Sequence, residues 1–139
     1  MIILDTCVIS EPMKHQGDPA VQAWLDRQEA ETLYVTTTSL SELLVGIELL
    51  SAGKRRANLA VALTGLLAKL FGPRLLSFDQ PAAIAYGSVI ARTRASGYTI
   101  SVADAQIAAI AQVTGFTVAT RDITPFTAAK TPIVNPWTD

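Results

Sequence analysis

Short apolar runs alternating with capped, helix-length segments predict a three-layer α/β/α domain around a central, mainly parallel sheet. Strand-like runs occur at 2–5 (IILD), 33–36 (LYVT), 74–78 (RLLSF) and 116–120 (FTVAT), with a last short one at 133–134. Long helical segments separate most of them, and a parallel pair needs a right-handed crossover of that length. The 139 residues, half of them hydrophobic and 17% charged, suit a single domain over 1–139 with a core of its own. No internal repeat or low-complexity linker divides the chain.

The elements follow in order. The run at 2–5 is apolar until it meets Asp5. Asp18-Pro19 predicts a helix over roughly 19–30, with an acid at the N-cap and proline at the first helical position, and Val21, Trp24 and Leu25 share its apolar face. After LYVT, the stripe Leu40, Leu43, Leu44, Ile47 and Leu50 has helical spacing, and Gly53 is expected to close that helix. Lys54, Arg55 and Arg56 open an Ala- and Leu-rich helix that Gly72-Pro73 should end. Asp79 caps a long helix running to Gly97, and Ser101 starts another that stops at Gly115 before FTVAT.

Composition excludes several kinds of chemistry. The single cysteine, Cys7, forms no internal disulfide and defines no zinc site, and His15 is the only histidine. A metal bound here therefore has oxygen ligands. No apolar stretch is long enough for a membrane span, and the N-terminus lacks the pattern of a secretion signal, so the expected location is cytoplasmic. The net charge of −1 does not itself mark a nucleic-acid binder, yet removing four of the 12 acids to a metal site leaves +3.

Those four acids fall at one place. In an open parallel sheet, ligands bind outside the carboxyl ends of the strands. Asp5 ends the first strand, and Asp122 lies two residues past FTVAT. Glu42 is expected in the first turn of the helix after LYVT, and Asp104 in the first turn of the helix after Ser101. Carboxylates gathered that closely repel unless a cation lies between them, and Asp and Glu oxygens suit Mg²⁺ or Mn²⁺. Each acid also has a structural reading. Ser39-Leu40-Ser41-Glu42 and Ser101-Val102-Ala103-Asp104 both fit a capping box, and Asp122 fits a turn before Pro125. The joint placement, rather than any single acid, points to metal. Thr6, Ser101 and Thr120 fit either polar support of such a site or ordinary caps and turns. Arg121 either faces a substrate phosphate or lies in solvent, and Lys54-Arg55-Arg56 reads first as a solvated helix start.

With these motifs in view, the sequence resembles PIN-domain proteins, specifically VapC/FitB-type toxins of bacterial toxin-antitoxin pairs. LDTCVISE is similar to the family's LDTNVISE, TTTSLSELLVGIELL to its central glutamate helix, and ISVADAQIAAIA with FTVATRDITPF to its two later acidic motifs. The terminal NPW is also familiar from the FitB-like branch. The resemblance implies that Asp5, Glu42, Asp104 and Asp122 form a Mg²⁺ or Mn²⁺ site of an endoribonuclease that leaves a 5′-phosphate and a 3′-hydroxyl. It further implies a homodimer and a cognate VapB/FitA-like antitoxin that blocks the site and carries the DNA-binding module. One departure is Cys7, where the family commonly has Asn. A phosphatase is the nearest enzymatic rival, but Cys7 stands where its D-x-D pattern requires a second acid. A PIN-like module that holds RNA without cutting it is the rival from a different class.

Overall fold

The computed structural model describes residues 1–70 and 73–139; Gly72, expected to end a helix together with Pro73, lies outside them. Among the described residues are five strands: β1 (Ile2–Leu4), β2 (Leu33–Thr36), β3 (Leu75–Leu76), β4 (Thr117–Ala119) and β5 (Ile133–Val134). All pair in parallel, in the order β3-β2-β1-β4-β5. The helices are α1 (Thr6–Ser10), α2 (Pro19–Asp26), α3 (Thr37–Glu48), α4 (Lys54–Leu70), α5 (Gln80–Ala95), α6 (Val102–Thr114) and α7 (Ile123–Ala128).

Side-chain alternation along the strands feeds two cores, because successive residues point to opposite faces. Ile3 and Val118 face a layer built from α5, α6 and α7, where Val89, Ile107 and Phe126 are buried. Leu4, Leu33, Val35 and Ala119 face the opposite layer, where Val8, Val21, Trp24, Leu43 and Leu63 are buried. The three-layer α/β/α expectation therefore holds, with Trp24 in the core as its spacing implied.

Element ends differ modestly from expectation, for local reasons. The helix after Asp18 stops at Asp26, and Ala30–Thr32 forms a separate 3₁₀ turn. α3 begins at Thr37, earlier than Ser39, because the Thr36 side chain accepts the Ser39 N–H and caps the helix. That helix ends at Glu48, well before Gly53. Asp79 caps α5 by accepting the Ala82 N–H at 3.1 Å. Gly115 closes α6 in the left-handed region at φ 73°, where a side chain is disfavoured.

The segment after α1 is held by Glu11, which lies in a 3₁₀ turn (Glu11–Met13). Its buried carboxylate accepts the Asp18 N–H at 3.0 Å and pairs with Lys14 at 2.8 Å. The Lys14 hydrogen bond, followed by the Asp18 amide, holds the carboxyl below the ordinary range. Gly17 makes this fold-back possible, since a Cβ there would sit 2.4 Å from the Glu11 carbonyl oxygen.

Gly17→Ala should therefore destabilise the chain by about 1–3 kcal/mol through overpacking. Gly87→Ala, in α5 with open space around the added methyl, should stabilise it by about 0.5–1 kcal/mol. Urea denaturation of the two variants checks both signs.

Candidate active site

The strand order reverses direction at β1, which has β2 on one side and β4 on the other. The crevice outside the carboxyl ends of β1 and β4 is thus the switch point, where loops diverge and leave room for a ligand. Register places Leu4 beside Ala119, so the next residues, Asp5 and Thr120, leave the sheet together. The Asp5 N–H still bonds the Ala119 carbonyl at 3.0 Å.

Asp5 is 6% exposed, and each of its carboxylate oxygens accepts a hydrogen bond. One oxygen, Oδ1, accepts the Thr6 N–H at 2.8 Å and caps α1. The other, Oδ2, accepts the Thr120 hydroxyl at 2.8 Å. Thr120 Oγ1 in turn accepts the Asp122 N–H at 3.0 Å, so one buried hydroxyl ties together the first and last acids of the site. Burial raises the Asp5 pKa; the Thr120 and Thr6 hydrogen bonds oppose it, while the charges of Glu42 and Asp122 add to it.

Glu42 is exposed in the second turn of α3, not the first. Its expected capping partner does not engage it: the Ser39 N–H is taken by Thr36, and Ser39 Oγ makes no hydrogen bond. Instead Glu42 Oε1 accepts the Thr6 hydroxyl at 2.7 Å, which links α3 to the start of α1. Asp122 precedes α7 but makes no side-chain cap. For both residues the capping alternative is removed, and the charges of both act on Asp5 and Asp104.

Asp104 keeps half of its capping box, with Ser101 Oγ accepting its N–H at 3.1 Å. Its pKa is pushed up to about 6, first by burial and then by the charge of Asp5, with Asp122 and Glu42 adding to the effect against the Ser101 hydroxyl. Asp104 thus feels the other three acids at once. A Thr38 hydroxyl bond to Gln106 Oε1 at 2.9 Å fixes α3 against α6, and so the helix of Glu42 against that of Asp104.

Cys7 is half-buried, with its sulfur 3.8 Å from Asp5 Oδ2 and 3.7 Å from Thr120 Oγ1. Burial pushes its thiol pKa up, and the Asp5 charge pushes it further, so it stays a neutral thiol and a weak donor rather than a nucleophile. Two features escaped the sequence reading. Glu11 organises the 11–18 segment, for which the i, i+3 spacing to Lys14 was the available signal. Arg121 lies over the Trp137 ring at 4.6 Å from its centroid, a contact between residues whose proximity no local pattern reveals.

Among the described residues, no three His, Cys, Asp or Glu side chains are gathered tightly enough to hold an ion as they stand. The donor set still fits a hard divalent cation: it consists of oxygens alone, and a cation relieves both the burial and the neighbouring charges that raise Asp5 and Asp104.

An α/β fold with four acids at its switch point defines a class, and comparison with known proteins identifies it. The PIN domain family matches residues 2–130, and the chain belongs to that family. It is 47% identical over 137 residues to plasmid stability protein StbB of Pseudomonas syringae pv. tomato, covering 99% of each chain. It is 45% identical to VapC ribonuclease Y4jK of Sinorhizobium fredii, covering 99% of this chain and 98% of the relative. The crystal structure of FitAcB from Neisseria gonorrhoeae superposes with a TM-score of 0.93 at 40% identity over the whole of both chains. The resemblance read from the motifs to the VapC/FitB branch is thereby borne out.

Two predictions follow from the site. Thr120→Val leaves Asp5 Oδ2 and the Asp122 N–H without their partner and should cost about 1–3 kcal/mol, whereas Thr120→Ser should retain most of that stability in thermal denaturation. For Asp104 the folded pKa lies above the unfolded value. Its ionisation therefore penalises the metal-free fold fully above about pH 6, and the penalty disappears as pH falls below the ordinary aspartate value of 3.8. Asp104→Asn should stabilise the chain at pH 7.5 in EDTA by on the order of 1–2 kcal/mol after solvent screening. Denaturation across pH should show that gain shrinking towards pH 4.

Proposed function

We propose that this chain is a metal-dependent endoribonuclease toxin of a toxin-antitoxin pair, working as one domain over residues 1–139. Asp5, Glu42, Asp104 and Asp122 hold Mg²⁺, or Mn²⁺, and serve as the catalytic acids. The observation that carries this reading is the gathering at the switch point of Asp104 with Asp5, Asp122 and Glu42, where burial first and then their charges push the Asp104 pKa up to about 6. A fold gains nothing from that arrangement unless a cation and its ligand use it. The relative named VapC ribonuclease, 45% identical over almost the full length, supports the choice of RNA.

Bound there, the divalent ion supplies Lewis-acid chemistry, drawing charge from phosphate oxygens and acidifying water for hydrolysis. The chain's own part is positioning. Asp5 is fixed by Thr120 and the Thr6 amide, Glu42 is aimed by Thr6, and Ser101 steadies the turn that bears Asp104. Arg121, stacked on Trp137 next to Asp122, provides a cation for a substrate phosphate.

An antitoxin and a second copy of the chain complete the proposal, with DNA bound only through the antitoxin. Large apolar side chains left exposed support protein partners, among them Leu44, Val45 and Leu49 on one side and Ile84 and Val102 on another. No described helix is long and apolar enough to cross a membrane, and a cytoplasmic location is part of this proposal.

The deciding experiment is an RNA-cleavage assay on antitoxin-free protein with a mixed RNA pool, in Mg²⁺ or Mn²⁺ and in EDTA. Cleavage should require metal and fall more than about 100-fold in Asp104→Asn, beyond the loss usual for residues behind the ligands. Folded, metal-binding protein that leaves all RNA intact would favour the non-cutting module, and a trapped aspartyl-phosphate from a small phosphoester would favour the phosphatase.

A further inference from the structure

A cleft of about 920 Å³ opens beside the carboxylates, between the 11–18 segment and the facing sides of α3 and α4. Thr6 and Glu42 form its border with the site, so cleft and site are continuous. The other ionisable residues of its lining are basic: His15 and Lys14, the latter paired with Glu11, on one wall, and Lys54 and Arg55 on the other, with Glu42 the single acid among the lining residues. The floor between the walls is apolar, formed by Leu43, Ile47 and Leu59.

The cations of the α4 wall stand where folding alone disfavours them. Lys54, Arg55 and Arg56 fill the first turn of a 17-residue helix that has no acid in that turn. Unbonded amides already make a helix N-terminus positive, so added cations there are repelled. Arg56 is compensated by Glu48 at 2.9 Å. Lys54 and Arg55 are exposed and belong to no ion pair among the described residues. A local rule broken without compensation, on the wall of a cleft that runs into the acids, marks a ligand of opposite charge.

We propose that this cleft is a binding subsite for the phosphate backbone of single-stranded RNA, with Lys54 and Arg55 as its principal phosphate contacts, Lys14 and His15 on the facing wall, and the apolar floor seating a base. The inference rests on the nuclease reading and deepens it: the cleft holds nucleotides flanking the phosphate presented to the acids. Continuity with Thr6 and Glu42 favours RNA, because the proposed nuclease needs a strand that runs from the cleft to the acids. The amides at the start of α4 add to the attraction for phosphate.

The test measures anisotropy of a short fluorescein-labelled single-stranded oligoribonucleotide against salt, in the Asp104→Asn background so that the RNA is not consumed. Each phosphate neutralised on a single strand contributes about 0.7 to the slope of log affinity against log salt. Lys54→Gln with Arg55→Gln should therefore lower the slope by about 1.4 and weaken low-salt binding roughly tenfold or more. Thermal stability should be unchanged or higher, because two repelled cations leave the helix start. Lys54→Arg with Arg55→Lys should keep the slope. Arg94→Gln with Lys130→Gln changes net charge equally away from the cleft and should also keep it. An unchanged slope in the first pair overturns the subsite, and loss of acidic-peptide binding without loss of RNA binding overturns it in favour of a protein partner. Cleavage by the unsubstituted catalytic site is scored separately. If that protein cleaves RNA while the slope stays unchanged, the subsite fails and the nuclease stands. If the slope falls but no protein cleaves, the subsite stands and the nuclease reading fails.

Discussion

The register of β1 against β4 is the constraint on which the site depends. Ile2, Ile3 and Leu4 lie beside Thr117, Val118 and Ala119, so Asp5 and Thr120 emerge from the sheet as neighbours, 115 residues apart in sequence. A slip of one residue would turn Ile3 and Val118 out of their core. It would also separate the Thr120 hydroxyl from Asp5. Packing in both layers therefore enforces the alignment that the carboxylates need, and the chemistry inherits its precision from the hydrophobic cores.

What the cores align, electrostatics opposes. Burial and the neighbouring carboxylates raise Asp5 and Asp104 together, while neutral donors restrain them at short range. Thr120 donates its hydroxyl to Asp5 and Thr6 donates its own to Glu42, and hydroxyls suit this role because they stabilise a carboxylate without adding a charge that would compete with a cation. A lysine or arginine in their place would neutralise the acids permanently. The acids are thus held in place by neutral partners and left with the charge that the proposed cation would meet.

Much of this was legible in the sequence, and the parts that were not share a cause. Strand and helix order followed from periodicity and caps, since Asp18, Asp79, Ser101 and Gly115 act through atoms only a few residues away. The placing of Asp5, Glu42 and Asp122 followed from topology, because a parallel sheet sends every strand-to-helix loop to the same edge, whereas Asp104 opens α6 after another helix and was placed only by the capped start at Ser101. The start of α3 was misplaced because Thr36, Ser39 and Ser41 offer competing caps, and choosing among them depends on how β2 enters the helix. The role of Thr120 as a bridge to Asp122, the Glu11 fold-back over Gly17, and Arg121 on Trp137 depend on tertiary proximity. Cys7, which stands where the family commonly has Asn, leaves the Asp5 loop with only a weak thiol donor, its pKa raised first by burial.

The two charge clusters at the carboxyl edge are best understood together. Acids crowd the switch point, and uncompensated cations crowd the first turn of α4; each arrangement weakens the fold on its own. Their separation matters, because direct pairing would relieve both and would leave neither free. Glu42, exposed at the border and held by the neutral Thr6 hydroxyl rather than by Lys54 or Arg55, keeps the two apart. An anionic polymer bridged to the acids by a divalent cation is the kind of ligand that satisfies both clusters at once. The distribution of charge therefore argues for a polynucleotide more strongly than the near-neutral total does, since recognition responds to where the charges lie rather than to their sum.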